Sequence, residues 1–314
     1  QATIFLYNTP LATKSCRMHP SSESHGHWPG MSGGGRAFLK MHGLRNHFVI
    51  VDGRAEPYRP GKREIVAICD PQAGVGADQL VVIENPRQSQ PSGPVAYLRF
   101  YNVDGSEAEA CGNATRCVAW LLLEEHGADT VTLETRNGIL ECRRVGYKRV
   151  SCGMGQISMD WQRIPLSEER DTCHLRIGDG PLADAVALNI GNPHVVFFVN
   201  DIDAIDLRAL APPIQANPLF PQQVNVGIAQ MLGPARMRLA VYERAAGLTE
   251  ACGSGACVAA YAALARGLTD ARQFTVEMPA GEVEIVINDD GTATMTGPVE
   301  YCFSGQLPAA FNGE

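Results

Sequence analysis

The sequence predicts an α/β (α+β) fold made of two copies of one unit. Short β-rich runs alternate with helical runs along most of the chain. Two of the helical runs begin with the same tetrapeptide, Glu-Ala-Cys-Gly, at residues 109–112 and 250–253. Several other landmarks recur in the same order at matched spacing. A duplicated unit of this kind predicts two pseudo-symmetric domains and two equivalent sites that face each other across a cleft.

The spacing of the landmarks is the evidence for the duplication. Cys111 and Cys252 are 141 residues apart, and a tyrosine stands ten residues before each, at Tyr101 and Tyr242. A separation of 33 residues joins two further pairs, which are Asn46 with Gln79 and Asn192 with Asn225. A single tetrapeptide match is weak, but four landmarks in one order indicate a repeat.

The elements of the first half follow from local patterns. A helix is predicted over CGNATRCVAWLLLEEHG, with its end at Gly127. Asn137-Gly138 predicts the turn of a β-hairpin. The predicted strands are HFVIVDG, QLVVIE, VAYLRFYNVDG and the two arms of VTLETRNGILECRRV.

The second half repeats this order of elements. A second helix is predicted over CGSGACVAAYAALARG, with its end at Gly267. Its longest apolar run, 256–265, is typical of a buried helix. The predicted strands are PHVVFFVND, VNVGIAQ, ARMRLAVYERAAG, FTVEMPAGEVEIVIND and GTATMTG. Residues 1–35 have a loop-like composition, so we expect the compact fold to start near Gly35.

Composition excludes several classes of function. The 314 residues suffice for two domains, and 45% of them are apolar, as in a globular protein. The net charge is −8 and there is no basic stripe, so a nucleic-acid partner is not expected. No apolar run reaches the roughly 18 residues of a membrane span. The ten cysteines are scattered, and Lys14 and Arg17 follow the first apolar residues, so we expect a reduced, cytoplasmic protein. No cysteine spacing matches a zinc site, and we expect no metal.

The two Cys-Gly elements suggest acid–base chemistry. Each places a thiol at a predicted helix N-terminus, where free backbone N–H groups and the helix dipole favour negative charge. We therefore expect Cys111 and Cys252 to have lowered pKa values and to exist partly as thiolates. The same N–H groups can bind a carboxylate. Two thiols on opposite faces of one α-carbon can remove a proton on one side and deliver one on the other, without metal or pyridoxal phosphate.

The motifs together resemble one family, the diaminopimelate epimerases. The resemblance extends from about Phe38 to about Leu307. Its segments are KMHGLRNHFVIVD, GADQLVVIE, YNVDGSEAEACGNATRC, IGNPHVVFFV, QVNVGI, VYERAAGLTEACGSGACVAA and MPAGEVEI. The family implies two similar domains, each a curved mixed sheet around a central helix. It also implies the epimerisation of ll- to meso-diaminopimelate in lysine and peptidoglycan precursor biosynthesis, with no cofactor.

The resemblance assigns roles to individual positions. Cys111 and Cys252 match the two catalytic thiols, and His194 matches a histidine that tunes a thiol. The positions that match substrate-holding residues are Asn46, Gln79, Asn102, Gly112, Asn113, Asn192, Asn225, Glu243, Arg244, Gly253 and Ser254. The implied division is an extension at 1–35, a first domain at 36–148 to which 299–308 returns, and a second domain at 149–298. The expected partner is a small-molecule amino-acid substrate. The sequence does not decide whether the protein forms a homodimer.

Three positions depart from the usual pattern of the family. Arg45, Ala114 and Leu248 replace the residues that are typical near the cleft, which leaves the two-thiol chemistry intact and the substrate open.

One alternative function is that of a proline racemase or hydroxyproline epimerase, although Glu243-Arg244 and Asn192-Pro193-His194 favour diaminopimelate. A second is a related isomerase that uses other bases in place of its thiols, although the two retained cysteines argue against it. A third is an amino-acid-binding protein that does not use its thiols.

Overall fold

The computed structural model describes residues 35–87, 93–108, 110–178, 180–244 and 246–308. The predicted extension therefore lies outside the described residues, apart from Gly35. The first half contains β1 (Arg36–Gly43), β2 (Asn46–Asp52), α1 (Lys62–Cys69), β3 (Gln79–Glu84), β4 (Ala96–Asn102), β5 (Glu107–Ala108), α2 (Gly112–His126), β6 (Thr130–Thr135), β7 (Gly138–Gly146) and β8 (Arg149–Gln156).

The second half repeats this succession, with one additional strand at its start and one at its end. It contains β9 (Leu175–Arg176), β10 (Asp184–Asn189), β11 (Pro193–Phe198), α3 (Leu207–Gln215), β12 (Asn225–Gly233), β13 (Arg236–Glu243), β14 (Gly247–Thr249), α4 (Gly253–Ala265), β15 (Gln273–Met278), β16 (Gly281–Ile287), β17 (Thr292–Pro298) and β18 (Glu300–Leu307). The predicted mixed α/β class with two pseudo-symmetric repeats is confirmed.

The strands form one continuous mixed sheet. Its order is β18-β1-β2-β3-β4-β6-β7-β8-β17-β16-β15-β13-β12-β11-β10-β9, with β5 beside β4 and β14 beside β13. The two repeats meet where β8 pairs antiparallel with β17. The last strand, β18, pairs antiparallel with the first, so that Arg36 lies opposite Leu307. The predicted domain limits at 148 and 298 stay a prediction.

Strand register shows the duplication residue by residue. In each repeat a parallel pair of strands is followed by an antiparallel pair. The facing residues are Phe48 with Gln79 and Leu80 with Tyr101 in the first repeat, and His194 with Asn225 and Val226 with Tyr242 in the second. The paired residues of the two repeats correspond position by position, in agreement with the matched spacing of the sequence landmarks. The ends of the corresponding strands therefore present corresponding side chains.

The two predicted helices are present and are largely surrounded by sheet. α2 ends at His126, and Gly127 caps it with a positive φ of 58°, a conformation that favours glycine. α4 ends at Ala265, and its buried residues lie on all sides, as expected for a helix in the core. No helix in the described part of the chain is long and apolar enough to cross a membrane.

Two shorter helices do not follow from the sequence patterns. α1 has only 8 residues, and α3 contains Pro212 and Pro213 inside its helical span. Proline normally interrupts a helix because it lacks an N–H donor, and the sequence patterns predict no element here. α3 forms nonetheless, because Leu207, Ala211 and Ile214 pack into the core of the second repeat.

Candidate functional site

Cys111 and Cys252 occupy equivalent positions in the two repeats. Each is the N-cap of its helix, with an extended backbone at φ −149° in Cys111 and −127° in Cys252. Each carbonyl accepts the first helical hydrogen bond, from Thr115 at 2.9 Å and from Ala256 at 3.0 Å. The predicted placement of both thiols at helix N-termini is therefore observed. The first N–H groups of each helix lie beside the sulfur.

A methionine that the sequence patterns do not single out packs between the two helix starts. A Cβ on Gly112 would lie 2.7 Å from the Met295 methyl carbon, and a Cβ on Gly253 would lie 2.9 Å from it. A Cβ on Gly253 would also lie 3.8 Å from Asn113 Oδ1. The N-termini of α2 and α4 thus converge around one thioether, and both first helical residues must be small.

Two asparagines and an aspartate form a hydrogen-bonded chain that begins beside Cys111. Asn113 Nδ2 donates to Asn46 Oδ1 at 3.2 Å, and Asn46 Oδ1 lies 3.9 Å from the Cys111 sulfur. The Asn46 amide donates to Asp78 at 3.1 Å, and Asp78 also accepts from the His47 N–H at 2.6 Å. Asp78 is a site neighbour that the sequence patterns missed, although it directly precedes the predicted strand QLVVIE.

A carboxylate and a hydroxyl surround Cys252. Ser254 Oγ lies 3.5 Å from the Cys252 sulfur. Glu243 accepts from Thr249 Oγ1 at 2.6 Å and also shares a hydrogen bond with Cys252. Burial raises the pKa of Glu243, because a carboxylate loses its water there.

The expectation of low thiol pKa values is wrong. Burial raises the pKa of Cys111 to about 11, and it raises the pKa of Cys252 well above the ordinary value. The helix N-terminus acts in the expected direction, since the N–H groups of Asn113 and Ala114 lower the pKa of Cys111. Loss of water is the larger effect, and the negative charge of Glu243 adds to it at both cysteines.

One carboxylate, that of Glu243, raises the pKa of both thiols. Glu243 belongs to the second repeat, yet its charge acts on Cys111 of the first repeat as well as on Cys252. Asp78 of the first repeat in turn acts on Glu243. These charge effects agree with the convergence of α2 and α4 on Met295, and the polar ends of the two repeats therefore form one site.

His194 joins several of the predicted substrate residues into a buried cluster. Its Nε2 atom lies 3.1 Å from Asn192 Oδ1, 3.1 Å from Ser254 Oγ and 3.2 Å from Asn225 Nδ2. Asn225 Oδ1 accepts from the Arg244 N–H at 2.8 Å. The cluster connects the start of α4 to the ends of β11, β12 and β13.

Gln79 and Asn102 form a separate pair in the first repeat. They face each other on β3 and β4, and Gln79 Nε2 donates to Asn102 Oδ1 at 3.0 Å. Gln79 directly follows Asp78, which contacts Asn46. The pair therefore lies on the strand ends next to the Cys111 surroundings.

The three departures from the family pattern lie in different environments. Arg45 forms an ion pair of 3.1 Å with Glu250, which joins the β1–β2 turn to the segment before Cys252. Ala114 is fully buried in α2. Leu248 is exposed on β14. Of the three, Arg45 is the residue that links the two repeats.

Burial lowers the pKa of His194 to about 3, with the positive charge of Arg244 as the second cause. The unfolded chain binds a proton near pH 6.5, whereas the folded protein does so only near pH 3. Between these values the unfolded state holds more protons, so stability falls as the pH falls, by up to about 1.4 kcal/mol per pH unit. Urea unfolding of His194→Gln should therefore show a weaker pH dependence than wild type from pH 6 to pH 4.

The exposed His126 at the end of α2 supplies the control for this experiment. His126→Gln, measured in parallel, controls for the general effect of replacing a histidine. Equal slopes for wild type and His194→Gln would contradict a neutral, buried His194.

Comparison with known proteins gives one consistent result. The family model described as Diaminopimelate epimerase matches residues 38–159 and 186–302. A protein of Rhodospirillum centenum named diaminopimelate epimerase is 46% identical over 274 residues, covering 87% of this chain and 92% of that protein. One of the same name from Phenylobacterium zucineum is 45% identical over 278 residues, covering 87% and 98%.

Solved structures of low sequence identity share the fold. A hydroxyproline epimerase from Agrobacterium vitis has a TM-score of 0.62 at 15% identity, covering 87% of this chain and 92% of that one. A phenazine biosynthesis protein of the PhzF family from Bacillus anthracis has a TM-score of 0.58 at 15% identity, covering 87% and 98%. At such identities the likeness concerns the fold alone.

Proposed function

Because the chain belongs to the diaminopimelate epimerase family, we propose that it interconverts ll- and meso-diaminopimelate with two thiols and no cofactor. The relatives at 43% to 46% identity all carry the name diaminopimelate epimerase, which supports this substrate. The reaction serves lysine and peptidoglycan precursor biosynthesis. We place the protein in the cytoplasm, where thiols stay reduced.

One observation carries the proposal. Two cysteines cap two equivalent helices that converge on the same thioether, and one carboxylate, Glu243, influences both sulfurs. A pair of isolated core cysteines would not share an N-cap position, converging helices and a common charged neighbour. The arrangement supports a single substrate carbon held between two thiols.

The reaction needs one thiolate and one thiol. The thiolate removes the α-proton, and the opposite thiol delivers its proton to the other face of the carbon, which exchanges the roles of the two sulfurs. The α-carboxylate gains negative charge in the intermediate. The N–H groups of Gly112 and Asn113, with those of Gly253 and Ser254, are proposed to stabilise that charge electrostatically.

The remaining polar residues are proposed to bind the distal end of the substrate. A second ammonium and a second carboxylate require both acceptors and donors. Glu243 supplies an acceptor, and Arg244 supplies a charged planar donor. The amide residues proposed to complete this recognition are Asn46, Gln79, Asn102, Asn192 and Asn225, while His194 orients Asn192, Asn225 and Ser254.

Incubation in D2O tests the proposed function. The protein should incorporate α-deuterium into ll- and meso-diaminopimelate and bring them to one equilibrium mixture, and it should leave l-proline unchanged. Exchange with proline alone would instead assign a proline racemase. Tight binding of diaminopimelate without exchange would assign a binding protein.

Activity should not depend on a metal or on pyridoxal phosphate. After EDTA treatment and extensive dialysis, the rate of epimerisation should stay within experimental error of the untreated protein, because the proposed proton transfers use only side chains of the chain. Loss of activity that returns only with zinc or pyridoxal phosphate would contradict this prediction.

A further inference from the structure

A chain of hydrogen bonds connects an exposed carboxylate to one of the amides proposed to bind the substrate. It begins in the turn between β4 and β5, where the Ser106 hydroxyl donates to Asp104 Oδ1 at 2.6 Å. Asn102 Nδ2 donates to the Ser106 hydroxyl oxygen at 3.1 Å. Asn102 Oδ1 in turn accepts from Gln79 Nε2 at 3.0 Å. The reaction proposed above gives no role to Asp104 or Ser106.

The carboxylate of Asp104 fixes the direction of every bond in this chain. A carboxylate only accepts, and a serine hydroxyl has a single proton to donate. Because Ser106 donates that proton to Asp104, its oxygen can only accept, and Asn102 must turn its nitrogen toward it. The Asn102 oxygen then faces Gln79, which must turn its own nitrogen toward Asn102. Gln79 Oε1 is thereby left as a free acceptor.

The oxygen at the end of the chain lacks a donor. Gln79 Oε1 is buried, and no described residue donates a hydrogen bond to it. A buried acceptor without a partner is unfavourable, so its retention calls for a physical reason. Gln79 follows Asp78, which holds Asn46 beside Cys111. A ligand that binds next to Cys111 could supply the missing donor, and an ammonium group is a donor only.

Asn46 has the same polarity as Gln79, and a second carboxylate is the cause. Its Nδ2 atom donates to Asp78 at 3.1 Å, so its oxygen points away from Asp78. The equivalent asparagine of the second repeat, Asn192, has Val224 at the position of Asp78. Asn192 uses its nitrogen to donate to Ser254 Oγ at 3.3 Å. The two equivalent asparagines thus present opposite ends of their amides.

The equivalent of Gln79 in the second repeat also differs in polarity. This residue is Asn225, and its oxygen already accepts from the Arg244 N–H at 2.8 Å. Gly247 stands at the position of Ser106, so the second repeat has no hydroxyl that could continue a chain of this kind. A free amide oxygen that is fixed by a remote carboxylate is therefore a feature of the first repeat.

The same turn occurs a second time in the chain, between β16 and β17. There the Thr292 hydroxyl donates to Asp290 at 2.7 Å, and Asn288 Nδ2 donates to the Thr292 hydroxyl oxygen at 2.9 Å. Of the two turns, only that between β4 and β5 continues to a residue proposed to bind the substrate, Gln79. The second turn therefore provides a matched control for the first.

Building on the proposed function, we propose that Asp104 is a positioning residue: through Ser106 and Asn102 it holds the Gln79 amide with Oε1 free to accept from an ammonium group of the substrate. Asp104 does not touch the substrate itself. The first repeat is thereby the half of the site whose amides are set to accept, before any substrate arrives.

Three substitutions of Asp104 test the proposal by initial-rate kinetics with ll-diaminopimelate. Asp104→Asn keeps an oxygen for the Ser106 hydroxyl and N–H, so KM should stay within about twofold of wild type. Asp104→Ala frees Ser106 to donate either way, and KM should rise by about twofold to fivefold. Asp104→Lys places a donor beside Ser106 and reverses the chain, so KM should rise by about tenfold. The ammonium is present in ground state and transition state alike, so kcat should change by less than about twofold.

The matched controls are Asp290→Ala and Asp290→Lys. They make the same changes of charge and of hydrogen bonding in the turn that does not lead to Gln79. Both variants should have the KM of wild type. If Asp104→Lys does not fold, Ser106→Ala and Ser106→Thr repeat the comparison, because alanine removes the hydroxyl and threonine keeps it.

A measurement without substrate reports the amide directly. The Gln79 side-chain NH2 signals in a ¹⁵N–¹H spectrum of the full-length protein are assigned as the pair lost in Gln79→Glu. They should shift in Asp104→Lys, because Gln79 Nε2 then loses its bond to Asn102. They should coincide with wild type in Asp104→Asn and in both Asp290 variants.

The outcomes distinguish this proposal from a structural role and from failure of the proposed function. A structural aspartate would lower the thermal midpoint on substitution and leave the Gln79 signals in place. Unshifted Gln79 signals in folded Asp104→Lys, or equal increases of KM in Asp104→Lys and Asp290→Lys, would overturn the proposal. Because the spectrum needs no substrate, an inactive protein with the expected shifts would contradict the function and leave the role of Asp104 in holding Gln79 standing.

Discussion

Replacing either site cysteine is expected to abolish epimerisation. Cys111→Ala and Cys252→Ala should each lower the rate by at least about 10²–10⁴-fold, the usual contribution of a general acid or base. Inversion requires proton transfer on both faces of the α-carbon, and each thiol serves one face. The double variant should be little worse than either single variant, because groups that act as a unit are not additive.

The two variants should differ in what they retain. Proton removal requires a single face, so each single variant should still exchange the α-proton of one stereoisomer with D2O, and the two should prefer opposite stereoisomers. The measurement is α-deuterium incorporation into each stereoisomer with each variant. Epimerisation by a single variant at close to the wild-type rate would require another base, and His194 would be the first candidate.

Cys69→Ala is the matched control for the loss of a thiol. Burial raises the pKa of Cys69 to about 11, as it does for Cys111. Cys69 lies at the C-terminal end of α1 and not at a helix N-cap. Its substitution should leave epimerisation within about twofold of wild type and cost some stability through the small cavity that it creates.

Arg244→Lys is expected to raise KM by about tenfold to a hundredfold. A charge-assisted, bidentate hydrogen bond contributes about 1.5–3 kcal/mol, and lysine keeps the charge while losing the planar fork. Arg244 follows directly after β13, and its backbone N–H is held by Asn225 at 2.8 Å, which positions the side chain at the cluster around His194. Initial-rate kinetics with ll-diaminopimelate provide the measurement.

Arg238→Lys controls for the general effect of this substitution. Arg238 lies on the same strand, β13, and pairs with Asp203 at 2.8 Å on the protein surface. Its KM should equal that of wild type. An unchanged KM in Arg244→Lys as well would assign Arg244 to a structural role, through the hydrogen bond that its Nη1 atom donates to the Gln222 carbonyl at 3.0 Å.

The local features of the fold were predictable because local physics determines them. Helices α2 and α4 have apolar sequences, polar or small first residues and glycines at their ends, and each of these signals acts within a few residues. The continuity of the sheet through β8 and β17 was not predictable, since those strands are more than 130 residues apart in the chain. Helix α3 was hidden by its two prolines, whose cost is offset by burial of its apolar side.

The site was predictable in its thiols and not in their electrostatics. Helix N-caps can be read from Cys-Gly followed by an apolar run, whereas the degree of burial depends on the whole fold. The direction of the thiol pKa shifts was therefore predicted wrongly. Asp78 and Met295 were missed because each acts through contacts between elements far apart in sequence.

The pairing of the last strand with the first has a consequence for chain topology. Arg36 lies opposite Leu307, so the ends of the described fold are neighbours. A short linker could join them, and the chain could instead open between β8 and β9, in the segment after Gln156. Such a circular permutant would place the second repeat before the first and still contain every strand pairing of the native sheet. The order in which the two repeats are translated is thus not imposed by their architecture.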